Sequence, residues 1–172
     1  MGGKQDRPWV LKNPGNTGEF LELLEVFPNA TFVISRRDLF KTMGSSMRMG
    51  TEILVNTFDP LDPLFVGQYT VDYWAYELKR YLRQRGEMGA HVRLVEADYN
   101  CCVSDGLSVA REVYALAGMP WTREGEAAMR QWDTDNPRHK LGSYGYALED
   151  YGWSEAKIAE AFGPIAEDWR GK

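Results

Sequence analysis

A short apolar run followed by two arginines and an aspartate is the feature that most constrains the fold. Residues 31–35 read Thr-Phe-Val-Ile-Ser, a β-branched and aromatic pattern that predicts a buried parallel strand. Asp38 is placed to cap a helix that continues to about residue 56. Arg36 and Arg37 therefore lie between a strand end and a helix N-terminus, which is a favourable place to bind an anion. Solvated surface charges are the alternative interpretation.

The rest of the chain alternates between strand-like and helix-like patterns. Because strands separated by helices pair in parallel, this order predicts an α/β fold with a parallel sheet. Further strands are predicted at 9–11 and 91–97, and the segment 98–106 is predicted to be a loop. Helices are predicted from the cap at Asn16 to about residue 27, then over 69–85, 107–117 and 122–132, with a last helix that starts at Ser154 and carries the apolar stripe Ile158, Phe162, Ile165 and Trp169.

The length and charge of the chain narrow the functional classes. A chain of 172 residues is long enough for one domain with a core, here residues 1–172 with a loose tail over 1–7. The net charge of −5 argues against nucleic-acid binding. No run approaches the ~20 apolar residues of a membrane span and no signal sequence is visible, so the predicted location is the cytoplasm. Adjacent Cys101 and Cys102 do not have zinc-site spacing, and no metal is predicted.

Two upstream segments make the pattern more specific. Residues 9–16 read Trp-Val-Leu-Lys-Asn-Pro-Gly-Asn and residues 23–30 read Leu-Leu-Glu-Val-Phe-Pro-Asn-Ala. With Arg37, Asp38 and a serine eight residues after the arginine, Ser45, their order and spacing resemble the sulfotransferase family, particularly its bacterial branch. Those enzymes move a sulfuryl group from 3′-phosphoadenosine-5′-phosphosulfate (PAPS) to an acceptor. The resemblance implies a three-layer fold, a parallel sheet flanked by helices, related to that of P-loop NTPases.

The resemblance also implies roles for individual residues. Arg37 and Ser45 would hold the 3′-phosphate of PAPS, or of the product adenosine 3′,5′-bisphosphate. Lys12 would offset charge on the transferring group, and Tyr99 would pack against the adenine. A core aromatic at a strand end is an equally open interpretation of Tyr99. No metal cofactor is implied.

Two later segments have both a functional and a structural interpretation. Arg138 and Lys140 stand in a glycine-containing loop that resembles the family loop closing over the 3′-phosphate; a solvated loop is the alternative. The aromatic segment over 57–76 either borders the acceptor pocket or is a helix packing face.

The phosphosulfate-binding loop of the family is expected before Trp9, where only eight residues stand. The resemblance therefore implies the C-terminal part of a sulfotransferase, N-terminally truncated. Asn16 stands where many relatives carry a histidine base, and helix capping is its expected role. The first functional hypothesis is an incomplete sulfotransferase that acts on a small-molecule acceptor. The second is a catalytically inactive nucleotide-binding or protein-interaction module that forms a homo-oligomer or needs a complementing chain.

Overall fold

A pair of parallel strands organises the structure, a computed structural model that describes residues 8–137 and 145–170. Within these ranges the sheet has two strands, β1 (Thr31–Arg36) and β2 (Arg93–Asp98). Arg36 at the end of β1 pairs with Asp98 at the end of β2, so both strands end at one edge. The helices are α1 (Phe20–Val26), α2 (Leu39–Leu54), α3 (Pro63–Glu87), α4 (Tyr99–Ser104), α5 (Gly106–Leu116), α6 (Arg123–Asp135), α7 (Glu155–Phe162) and α8 (Pro164–Asp168), with 3-10 turns at Pro14–Asn16 and Leu148–Tyr151.

Helices cover both faces of this sheet. On one face, the ring of Phe32 packs edge-on against Phe20 of α1, with the centroids 4.7 Å apart. On the same face, Glu96 accepts a hydrogen bond from a tyrosine of α3. Ser35 points to the other face, because neighbouring residues of a strand alternate, and it hydrogen-bonds Cys102 of α4. The predicted α/β fold, a parallel sheet flanked by helices, is confirmed.

The hydrophobic core lies mainly between helices, beside the sheet. The 16 residues of α2 present an apolar face that begins directly after the Asp38 cap, and this face packs on α3 and on the Leu148–Tyr151 turn. The buried side chains of this core are Leu39, Phe40, Met43, Met47, Val66, Val71, Ala75, Leu78, Tyr151, Ile158, Phe162, Ile165 and Ala166.

The predictions for the first part of the chain were partly wrong. Trp9, Val10 and Leu11 form no strand and are 74%, 89% and 70% exposed. Asn16 does not cap α1; its side chain instead accepts a hydrogen bond from Asn13 at 2.8 Å. The reason is local, since Asn13 caps a 3-10 turn that a proline opens, and this turn ends before the helix begins.

Two later boundaries also differ from prediction. The expected loop over 98–106 contains helix α4 and the first residue of α5, because Asp98 and Asp105 each cap a helix by accepting backbone N–H bonds. The last predicted helix is two helices, α7 and α8. Gly163 adopts a positive φ of 59° and Pro164 opens the next helix, so the apolar stripe continues across a break.

A close approach between α3 and the Leu148–Tyr151 turn depends on Gly67. A Cβ atom at Gly67 would lie 2.4 Å from the backbone oxygen of Tyr151 and 2.8 Å from the Trp153 ring. Backbone cannot move aside cheaply, so we expect Gly67→Ala to lower the free energy of unfolding by about 1–3 kcal/mol. Gly86→Ala is the matched control on α3, where nothing lies within 4 Å and alanine should add up to about 1 kcal/mol. Urea unfolding followed by circular dichroism measures the free energy of unfolding of both variants. Equal changes in the two variants would contradict the close packing at Gly67.

Candidate functional site

The carboxyl ends of β1 and β2 open onto a cleft of about 490 Å³. Because Arg36 and Asp98 are in register, the residues that follow them, Arg37 and Tyr99, are brought to the same edge. This is the edge at which parallel α/β sheets usually bind ligands. The cleft is lined by Arg36, Arg37, Asp38, Lys41, Glu96, Asp98, Tyr99, Asn100, Asp168, Trp169 and Arg170.

Arg37 lies over the ring of Tyr99, with its guanidinium carbon 4.7 Å from the ring centroid. This distance is within the range of a cation–π contact. Among the described residues, no carboxylate forms an ion pair with Arg37. The ring therefore orients the guanidinium without neutralising it, which leaves N–H donors for an anion.

Arg36, its neighbour, is engaged elsewhere. Its Nη2 donates to the backbone oxygen of Asp168 at 2.9 Å and to the Asp168 carboxylate at 3.1 Å. The same guanidinium lies 5.3 Å from the ring centroid of Trp169. Arg36 thus binds the end of α8 at the edge of the sheet. Arg37 lines the cleft and has no acidic partner of this kind among the described residues.

The N-terminus of α2 contributes less to anion binding than its position suggests. The Asp38 carboxylate accepts from the backbone N–H of Lys41 at 2.9 Å, and the backbone oxygen of Trp169 accepts from the N–H of Leu39 at 3.0 Å. Two of the unpaired amides of the first helical turn therefore already have partners in the chain. The N–H donors still free for an anion at this edge are therefore mainly those of side chains.

Glu96 is held in its charged form inside the cleft. It accepts hydrogen bonds from the Tyr81 hydroxyl and from Arg85. Burial raises the pKa of Glu96, but the bonds from Arg85 and Tyr81 outweigh it and leave the pKa below its ordinary value. Burial, followed by the bond to Glu96, raises the pKa of Tyr81. Glu96 is therefore a carboxylate that Tyr81 and Arg85 hold in place at the edge of the cleft.

The structure unites some of the predicted site residues and not others. Arg37 and Tyr99 share the cleft, whereas Ser45 and Lys12 do not line it. Ser45 lies in α2, seven residues after Asp38 and so ~10 Å further along the helix axis. Lys12 belongs to the exposed segment that precedes the first 3-10 turn. Arg138 and Lys140 lie outside the described residues.

The sequence pattern did not identify the C-terminal contribution to the cleft. Asp168, Trp169 and Arg170 all line it, and Arg170 lies over the ring of Phe40 at 4.7 Å. Trp169 was assigned to an apolar helix stripe. The two arginines at the end of the strand were the sequence feature that could have indicated this contribution. If one of them is partly buried at the sheet edge, it requires an acidic neighbour.

The described parts of the chain contain neither a cluster of metal-binding side chains nor a helix that could span a membrane. Over 8–137 and 145–170, no group of three or more His, Cys, Asp or Glu side chains is arranged to hold a metal ion. No helix in these ranges is both long and apolar enough to span a bilayer.

Comparisons with known proteins agree on a single family. A sequence model of the sulfotransferase family matches residues 2–123. Over 164 residues the chain is 27% identical to omega-hydroxy-beta-dihydromenaquinone-9 sulfotransferase Stf3, both from Mycobacterium bovis and from Mycobacterium tuberculosis. These alignments cover 92% of the chain and 40% of the curated relatives, so the chain spans well under half of their length.

Solved structures support the same fold. Sulfotransferase STF9 from Mycobacterium avium superposes with a TM-score of 0.81 at 27% identity, covering 95% of this chain and 42% of STF9. Sulfotransferase STF1 from Mycobacterium tuberculosis gives a TM-score of 0.71 at 23% identity, covering 90% of this chain and 39% of STF1. The second likeness is evidence for the fold alone.

The charged state of Glu96 makes stability depend on pH. Because its pKa is lowered in the folded state, its contribution is present above the unfolded pKa of about 4.3 and is lost as pH falls through the folded pKa. We expect Glu96→Gln to lower the free energy of unfolding at pH 7 by about 1.5 kcal/mol, the lower end for bonds to a charged group, because Arg85 is half exposed. The loss should shrink as pH falls below the unfolded pKa and through the lower folded pKa.

Urea unfolding across this pH range gives the test. Glu25→Gln, at an exposed position of α1, is the matched control and should change neither the stability at pH 7 nor its pH dependence by much. A Glu96→Gln loss that stays constant as pH falls through both pKa values would contradict the assignment.

Proposed function

Because the chain belongs to the sulfotransferase family, we propose that it takes part in transferring a sulfuryl group from PAPS to an acceptor hydroxyl or amine. The observation that carries the site assignment is Arg37, held on the Tyr99 ring at the strand edge without a carboxylate partner among the described residues. In this proposal the cleft binds the nucleotide part of PAPS, and the Arg37 guanidinium binds the 3′-phosphate through paired N–H donors.

The other candidate residues are proposed to contact the adenine, the 3′-phosphate or the rest of the ligand. Tyr99 has one ring face under Arg37, and its other face can pack against the adenine. Ser45, which lies further along α2 and does not line the cleft itself, is proposed to donate its hydroxyl to the part of the ligand that extends beyond the cleft. Arg138 and Lys140, which lie outside the described residues, are proposed as further cations for the 3′-phosphate. Charge balance supports this division, because the cleft carries acidic side chains beside its arginines and only an unpaired cation can attract a phosphate strongly.

The reaction proposed for the family member is a single displacement at sulfur. The acceptor oxygen or nitrogen attacks the sulfur atom and its proton passes to solvent. The bond from sulfur to the bridging phosphate oxygen breaks, and adenosine 3′,5′-bisphosphate leaves with that electron pair. Lys12 is proposed to offset the charge that develops on the transferring group. Its exposed position leaves the ammonium accessible to a bound substrate.

The acceptor is proposed to be a small molecule with a hydroxyl group. The curated mycobacterial relatives are named for an omega-hydroxylated dihydromenaquinone. An acceptor of that kind places a reactive hydroxyl on an otherwise apolar molecule. We propose the same general type here, an apolar molecule that carries one nucleophilic group.

A second candidate function, a binding module that pairs with another chain, has one observation in its favour. Trp9, Val10 and Leu11 are three consecutive large apolar side chains that are mostly exposed. Contiguous exposed apolar surface is typical of interaction sites. Such a module would still use the Arg37 cleft for the nucleotide. Size-exclusion chromatography of the chain, with and without Val10→Asp, separates the two: a module pairing with itself elutes as an oligomer that this change dissociates.

The phosphate assignment predicts a selective loss of affinity in Arg37→Ala. Removing a hydrogen bond to a charged group should weaken adenosine 3′,5′-bisphosphate binding by about 1.5–3 kcal/mol in calorimetric titration. Adenosine 5′-monophosphate, which lacks the 3′-phosphate, should respond little. Arg83→Ala, an exposed arginine on α3, is the matched control. Equal losses for both ligands would reject the assignment.

The Tyr99 ring is predicted to act on both Arg37 and adenine. Tyr99→Phe retains a ring and should keep most of the affinity for adenosine 3′,5′-bisphosphate, whereas Tyr99→Ala should weaken it by about 1–3 kcal/mol. Titration with ribose 3,5-bisphosphate, which has no base, isolates the contribution through Arg37. The same loss with both ligands would show that the ring only positions Arg37 and does not contact adenine.

A further inference from the structure

A row of aromatic rings runs along the exposed side of α3. Neighbouring centroids are separated by 6.5 Å from Phe58 to Phe65, 6.2 Å from Phe65 to Tyr69 and 6.3 Å from Tyr69 to Tyr73. The last two steps match the ~6 Å that four residues rise along a helix, and these ring planes are near-parallel, at 23° and 14°. Phe65 and Tyr69 are 51% and 56% exposed. We call these four residues the aromatic row.

The aromatic row ends at the loop that follows Lys12. The Tyr73 hydroxyl approaches Gly15 so closely that a Cβ atom there would lie 3.2 Å from it. One turn further along α3, Glu77 accepts a hydrogen bond from the N–H of Gly18 at 3.0 Å in a buried contact. The helix that carries the row therefore also fixes the loop beside the lysine proposed to act on the transferring group.

We propose that the aromatic row binds the extended apolar chain of the acceptor, an isoprenoid-type or similar aliphatic chain, with the acceptor hydroxyl at the Tyr73 end. This inference rests on the proposed function and names the acceptor class. A compact phenol would contact one or two rings, whereas a linear chain contacts all four. Exposed aromatic rings in a continuous line are unusual for a surface helix, and covering them with hydrocarbon is favourable because apolar area leaves water.

Direction along the row follows from the positions of its ends. Lys12 stands three residues before Gly15, and Gly15 meets Tyr73, whereas Phe58 lies beyond the N-terminus of α3. A hydroxyl at the Tyr73 end reaches the loop of Lys12, and the chain then extends toward Phe58. The affinity should therefore depend on chain length until the row is filled.

A length series of prenyl alcohols tests the proposal on the purified chain. Calorimetric titration with the five-, ten- and fifteen-carbon alcohols, below their aggregation concentrations, should show affinity rising at least about threefold per five-carbon unit, a small part of what complete burial would give. The double variant Phe65→Ser, Tyr69→Ser should abolish this length dependence. Trp132→Ser removes an aromatic side chain of similar exposure, 66%, on α6, and should preserve it.

Separate readouts keep this proposal distinct from the proposed function. Adenosine 3′,5′-bisphosphate binding should be unchanged in the double variant. If the unaltered chain does not bind that nucleotide but its affinity for the alcohols rises with chain length, the nucleotide assignment is wrong and the assignment of the aromatic row is supported. A fifteen-carbon alcohol with a photoreactive diazirine should label residues 58–73 of the unaltered chain, a measurement that requires no variant to fold. Labelling elsewhere, affinity independent of length, or a dimer dissociated by the double substitution would overturn the proposal.

Discussion

Register between two parallel strands is the constraint on which the candidate site depends. Pairing Arg36 with Asp98 brings the next residue of each strand, Arg37 and Tyr99, to one edge, although they are far apart in sequence. A shift of one residue would turn every side chain of a strand to the opposite face. The packing of Phe32 on Phe20 and the bonds made by Glu96 on the same face oppose such a shift. Core packing and site geometry are thus consequences of the same pairing.

Adjacent arginines in this chain have different roles because their surroundings differ. Arg36 ends β1 and is bound by Asp168 and Trp169, so its charge serves to hold the C-terminal segment. Arg37 follows it and contacts a ring, which orients a guanidinium without cancelling its charge. With the amides of Leu39 and Lys41 already bonded, the donors left at this edge are side chains. Among the described residues that line the cleft, Arg37, Lys41 and Arg170 have no ion pair with a carboxylate. Arg37 thus differs from Arg36 in keeping its N–H donors available for the phosphate that is proposed to bind there.

Local signals in the sequence predicted most of the fold. The β-branched run predicted β1, Asp38 was correctly placed as a helix cap, and the alternation of patterns predicted the parallel sheet. Errors arose where a short local motif competed with a longer pattern, as with the Asn13 cap that displaced Asn16 and the Gly163–Pro164 break. Of the residues that line the cleft, the strand-to-helix pattern singled out Arg37 and the family resemblance singled out Tyr99. The contributions of Asp168 and Trp169 depend on tertiary contacts that no spacing encodes.

The two faces of α3 connect the nucleotide cleft with the acceptor side of the proposed site. Its sheet side supplies Tyr81, which fixes Glu96 at the cleft, while its exposed side carries the aromatic row that ends at Gly15. Gly67 lets the same helix approach the C-terminal segment closely, and that segment returns to the cleft through Asp168. A single 25-residue helix therefore sets the distance between the two proposed subsites. Since in-line transfer requires donor and acceptor to be aligned within ångströms, rigidity of α3 is itself a requirement of the proposed chemistry.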